Sequence, residues 1–144
     1  MRGRILLAAL LAAGAASAQT PEGLDRLLAQ QYGPDVAEVI WFEGPPAADG
    51  AAPGLSVAYF PFPGGNAMQI GVDAFRVTAA GLAHLGPVEG LFGGEPRDAV
   101  FGPGVVTLTT TMPRPEDPRC CPTGETRWTI DLNARRVVAE TPSP

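Results

Sequence analysis

The chain has 144 residues and carries fifteen carboxylates against ten basic residues, a formal net charge of −5. Every basic residue is arginine, which excludes lysine Schiff-base chemistry and the lysine of a phosphate-binding loop. A single histidine, His84, excludes sites that need two, and an acidic surface argues against nucleic acid or anionic lipid as partners.

The N-terminus places Arg2 and Arg4 ahead of an apolar run from Ile5 to Ala13, followed by the small residues Ala16-Ser17-Ala18. That order is the pattern of a secretory signal peptide, residues 1–18, cleaved after Ala18. The run is shorter than the ~20 apolar residues that span a bilayer. The mature chain is therefore expected in the periplasm or secreted, without stable membrane insertion. Its eight arginines face fifteen carboxylates, a net charge of about −7. Residues 19–144 have the length of a single domain.

The stretch "TPEGLDRLLAQQYG" predicts a short helix, with Thr20 as N-cap, Pro21 in the first turn, and Leu24, Leu27 and Leu28 on one face. Gly33-Pro34 ends it. From Val36 the texture changes to short β-branched and aromatic runs between proline and glycine clusters, which read as strands. These are Val36 to Phe42, Leu55 to Phe60, Ala67 to Val72 with a continuation toward Leu82, Val105 to Met112, and Thr126 onward. The apolar parity changes between Val72 and Phe75, which predicts a bulge near Asp73. "EGPPAADGAAPG" reads as a loop, and the glycine-punctuated Ala83 to Gly104 as mostly loop with one short extended piece. "VVTLTTTM" puts Val106, Leu108 and Met112 on one face and Val105, Thr107, Thr109 and Thr111 on the other, the pattern of a half-buried antiparallel strand. In "TRWTIDLNARRVVAE", a two-residue turn at Asn133-Ala134 sets Asp131 opposite Arg136 and Ile130 opposite Val137. Roughly six or seven strands result, with no alternation of strand and helix. The expected fold is mainly β, bordering on α+β: a curled antiparallel meander or small sandwich with one short N-terminal helix.

Chemistry-bearing residues are few. Ser56 and Ser143 are the mature chain's serines, and neither stands on a nucleophile elbow. His84 lacks the partners of a triad, and Glu89, Glu95 and Asp98 are too loosely spaced for a calcium loop. No catalytic, metal or cofactor set emerges. Trp41-Phe42 and Tyr59 to Phe62 alternate sides of a strand, so some of these rings stay exposed unless both faces are covered.

Both cysteines, Cys120 and Cys121, are adjacent, in "PEDPRCCPTGETRW". Three readings stay open. The first is a bond between neighbours, closing an eight-membered ring across Cα atoms ~3.8 Å apart, which is shorter than ordinary disulfides span and easier to reduce. The second is two thiols pointing opposite ways along an extended segment. The third is a soft-metal site completed by His84 or a second chain. Pro118 and Pro122 hold Asp117 and Cys121 extended, and Thr123-Gly124 turns the chain into the next strand.

This segment, with Asp117, Pro118, Arg119, Cys120, Cys121, Pro122 and Thr123 as its core, resembles the Asp-Pro-x-Cys-Cys-Pro-(Ser/Thr) segment of a loose group of uncharacterised exported bacterial proteins. The resemblance spans Val105 to Leu132. It implies a strand, Cys-Cys-Pro turn and strand module, and it brings no established activity. The function expected from these observations is a small exported, non-enzymatic domain that binds a protein or small ligand, with Cys120-Cys121 as a structural clasp. The alternative is a redox-responsive protein using a labile vicinal disulfide.

Overall fold

The computed structural model describes residues 19–144, so the signal-peptide reading of residues 1–18 lies outside the described residues. One helix, α1 (Leu24–Tyr32), precedes eight strands: β1 (Glu38–Glu43), β2 (Ala52–Pro61), β3 (Met68–Thr78), β4 (Gly81–Pro87), β5 (Gly94–Gly102), β6 (Val105–Met112), β7 (Gly124–Asp131) and β8 (Arg136–Pro142). Each strand pairs antiparallel with its sequence neighbour, giving two four-stranded meanders in the orders β1-β2-β3-β4 and β5-β6-β7-β8. The two sheets pack face to face, so of the mainly β arrangements expected, meander or small sandwich with one short helix, residues 19–144 form a sandwich of two meanders.

Strand periodicity explains the packing. In the first sheet Leu55, Val57, Val72 and Ala74 point toward the second sheet, where Val106, Leu108, Trp128 and Ile130 meet them. The opposite face of the first sheet carries Trp41, Ala58 and Phe75, and Leu24 and Leu28 of α1 cover it. Both leucines are fully buried, each contributing about 1.5–3 kcal/mol of apolar burial to the docking of a helix too short to persist alone.

Double coverage accounts for the change in parity between Val72 and Phe75. Val72 faces the other sheet and Phe75 faces the helix. β3 pairs with β2 without a break from Met68 to Val77, so the predicted bulge in β3 near Asp73 is not there. A register shift does occur alongside, where Ala74 opposes Gly86 and Phe75 opposes His84, and the extra residue is Leu85 in β4.

Other expectations are corrected in detail. The helix starts at Leu24 with Gly23 as N-cap at φ 84°, so Thr20 does not cap it. β2 begins at Ala52, inside the stretch read as loop. Pro53 is tolerated there because its carbonyl accepts from Gly44 N (2.9 Å) just where β1 ends, and a missing N–H on that side breaks little of the ladder. The segment read as mostly loop supplies β4 and β5. β5 carries two register shifts against β6, with Glu95 (φ 49°) and Asp98 (φ 55°) in the left-handed region, and these shifts erase the alternation that marks a strand. The β7–β8 register is as expected, Asp131 opposite Arg136 and Ile130 opposite Val137, but the turn spans residues 132–135. Asp131 Oδ1 organises it by accepting from Asn133 N (2.9 Å) and Ala134 N (2.8 Å).

The covered face of the first sheet requires residues without side chains. A Cβ at Gly54 would enter the ring of Trp41, which is itself buried. Gly54→Ala is therefore expected to destabilise by about 1–3 kcal/mol in urea unfolding. Gly94→Ala, with open space at the same position, should be neutral or stabilising by up to about 1 kcal/mol.

Candidate functional site

Three places combine polar or reactive groups with a shaped environment. The first lies under α1. Leu24, Leu28 and Tyr32 recur at four-residue spacing and share one face, so docking the leucines carries Tyr32 over β3, its ring resting on Gly71 and stacked on Phe60 at 4.6 Å. There its hydroxyl donates to Asp73 Oδ2 (2.5 Å). His84 Nε2 reaches Asp73 Oδ1 (2.7 Å) from β4, and its ring packs on Phe75 at 5.0 Å. The Asp73 carboxylate is fully buried, whereas the His84 side chain is 26 % exposed. A buried carboxylate needs such partners, because leaving it unpaired costs several kcal/mol.

The Tyr32 phenol is pushed well above its ordinary range, first by burial and then by its hydrogen bond to the Asp73 carboxylate. Ser56 opposes Asp73 in the register. Its hydroxyl is buried without a hydrogen-bond partner among the described residues. Neither Ser56 nor Asp73 is reachable by a substrate in this arrangement, and the group as a whole pins the end of α1 to the sheet.

The second place is the β6–β7 loop, where the predicted motif comes together. Met112 and Gly124 close the paired strands below it. Asp117 Oδ2 accepts from Arg114 N and Thr123 N, both at 2.7 Å, and its Oδ1 accepts from Thr123 Oγ1 at 2.7 Å. Cys121 N donates to Pro118 O (3.0 Å). The sulfurs of Cys120 and Cys121 lie at bonding distance, with Cα atoms 3.8 Å apart, and the pair joins no two elements of the fold. Pro118, Arg119, Cys120, Cys121, Pro122 and Thr123 are all exposed. The loop is closed by the Asp117 carboxylate, which the Arg114 backbone N–H, followed by the Thr123 hydroxyl and N–H, holds below the usual carboxylate range.

The third place is a cleft of about 560 Å³ at the opposite end of the sandwich. Its lining includes Pro45, Pro46, Pro53, Phe101, Pro103 and Leu132. Asp49 steadies the loop beside it, accepting from Ala51 N (3.0 Å) and pairing with Arg76 (2.7 Å). Those contacts hold its carboxyl below the ordinary value, the Ala51 N–H foremost.

The acids weighed in the sequence do not form a shared site. Glu89 bridges to the β7–β8 turn through its backbone, the Glu95 carboxylate accepts from Thr111 Oγ1 (2.8 Å), and the Asp98 carboxylate lies 3.9 Å from the Arg97 guanidinium. Among the described residues no three His, Cys, Asp or Glu side chains gather as metal ligands, and no helix is long and apolar enough to cross a membrane. Tyr32 and Asp73 escaped the sequence reading. The signals for them were the Leu24, Leu28, Tyr32 spacing and an acid flanked by Val72 and Ala74 in a strand with two apolar faces.

Two outcomes test these assignments. A phenol whose folded-state value is raised favours the folded state fully below the unfolded value of ~10, and that contribution is lost as pH rises above it. Stability measured by urea unfolding should fall as pH rises beyond about 10, with a shallower fall in Tyr32→Phe, which also costs about 1.5–3 kcal/mol at neutral pH for the lost bond to a charged group. A lowered carboxyl works in the opposite direction. The Asp117 loop should keep its protection against hydrogen exchange above pH ~4 and lose it as pH falls further, and Asp117→Ala should abolish that protection at all pH values.

No protein-family model, curated protein or solved structure matches the chain.

Proposed function

We propose that the protein is a small exported, non-enzymatic binding domain that takes a small, mainly apolar ligand in the cleft between its two sheets. The observation that carries this reading is the cleft itself: about 560 Å³, lined by prolines and by Phe101 and Leu132, with Arg76 and Asn133 as its polar groups. Binding sites for small molecules are concave, mainly apolar and marked by a few polar groups, and this volume falls within their usual range. Proline walls cost little ordering entropy on binding, because their backbone is already restricted. Export is supported by the arginine, apolar and small-residue order of residues 1–18.

Binding is favoured over catalysis by the state of the groups that would do chemistry. Ser56 and Asp73 are sealed under α1, and the one histidine is committed to Asp73. The acidic balance of the chain favours neutral ligands over anionic ones.

Ala47 is an exposed lining residue whose backbone N–H holds Ala51 O (2.8 Å), so its side chain can be enlarged without disturbing the loop. A panel of small neutral aromatic and alicyclic probes, followed by protein NMR, should shift resonances of Phe101, Leu132 and Asn133 first. Ala47→Trp should fill the cleft and abolish those shifts with thermal stability unchanged. A panel that moves no cleft resonance, or binding that persists in Ala47→Trp, would remove the cleft from consideration.

A further inference from the structure

We propose that Cys120-Cys121 is a reversible two-electron redox site that exchanges with a dithiol partner, opening and closing while the domain stays folded. The proposal rests on how little of the fold depends on the bond. A disulfide stabilises chiefly by restricting the unfolded chain, and more so the longer the loop it closes. Here the bonded residues are one apart in sequence, so the unfolded chain loses almost nothing. Nor does the pair serve packing, since both cysteines are exposed and belong to neither buried cluster.

What shapes the loop is independent of sulfur. The three bonds to the Asp117 carboxylate and the Cys121 N to Pro118 O contact remain available whether the thiols are joined or free. β6 and β7 below the loop are paired without interruption from Val105↔Asp131 to Met112↔Gly124, so nothing unzips when the bond opens. Access is the other requirement of exchange. The attacking thiolate must reach a sulfur along the bond, and exposure on a proline-braced turn provides this. Arg119, exposed and next to Cys120 in sequence, makes no ion pair among the described residues, and a positive charge close to a cysteine favours a developing thiolate.

The chemistry balances with a dithiol as co-reactant. One partner thiolate attacks one sulfur of the pair; the intramolecular S–S bond breaks, and the other cysteine leaves as a thiolate. The partner's second thiolate then attacks the partner sulfur of the mixed disulfide. That step releases the second cysteine and closes the partner's own disulfide. Two electrons have passed to Cys120 and Cys121, and the two protons of the partner's thiols end on them at neutral pH.

The purified protein is equilibrated in glutathione buffers of graded ratio, quenched with an alkylating agent and read by intact mass, with far-UV circular dichroism and thermal melting on the same samples. The expected result is a transition from no label to two labels within the glutathione range, where structural disulfides of secreted proteins resist reduction. Secondary structure and melting temperature should be unchanged across that transition. The Cys120→Ser, Cys121→Ser double variant should melt with the oxidised protein and take no label. A pair that stays unlabelled throughout the range overturns the proposal, as does reduction that unfolds the domain or lowers its melting temperature together with that of the double variant. Two labels at every ratio, showing that the bond does not form, would overturn it too.

Discussion

The constraint on which the rest of the structure depends is that the central strands of the first sheet, β2 and β3, are buried on both faces. A four-stranded sheet with one wet face can alternate apolar and polar residues, but here β2 and β3 must offer apolar or side-chain-free positions on both sides. Leu55, Val57, Val72 and Ala74 meet the second sheet; Gly54, Ala58, Gly71 and Phe75 meet Trp41 and α1. The small residues are the other half of the large ones: the Trp41 ring lies where Gly54 has no Cβ, and the Tyr32 ring where Gly71 has none. Remove that complementarity and the helix has no seat.

Within this packing a fully buried carboxylate needs a reason, and the geometry supplies one. Asp73 takes one hydrogen bond from the helix and one from the edge strand β4. Apolar burial alone would let a nine-residue helix slide or rotate over the sheet, because hydrophobic contact is not directional. Two directional bonds to one carboxylate fix the end of α1 relative to β3 and β4 together. The desolvation of Asp73 is offset only when both partners are in place, which couples the docking of the helix to the pairing of β4.

These features differ in how far they could be read in the chain. The strict alternation of β6 and the charge-to-charge, apolar-to-apolar register of β7 with β8 are local, since each residue's side is set by its parity, and both were legible. The β7–β8 turn was less so, because a four-residue turn stitched by Asp131 gives the same register as the shorter one. β4 and β5 were hidden for a physical reason. Each carries an extra residue that resets parity, twice in β5, so the alternation that would announce a strand is cancelled even though the pairing is present. Asp73 was visible as an acid, but its role depended on β4, and with β4 unread His84 had no strand to stand on. The Asp117 to Thr123 segment, by contrast, was legible as a stiff turn from its prolines alone, while the carboxylate that closes it became apparent only with Arg114 and Thr123 folded back upon it.

The two proposed properties occupy opposite ends of the sandwich. The Cys120-Cys121 loop follows Met112, at the end of β6 where Gly124 is its partner; the cleft adjoins Gly102 to Gly104 and Leu132, at the end where Val105 opposes Asp131. Between them β6 and β7 hold eight consecutive pairs, with Val106, Leu108, Trp128 and Ile130 locked into the inter-sheet core. Opening a bond between adjacent residues in a loop that the Asp117 carboxylate already shapes transmits no strain to such a ladder, because neither the register nor any core contact depends on it. Coupling between sites needs an element with two arrangements that both sites bias, and the β6–β7 ladder joining these two is paired in one uninterrupted register. The redox exchange proposed at one end and the ligand binding proposed at the other are thus expected to be independent of each other.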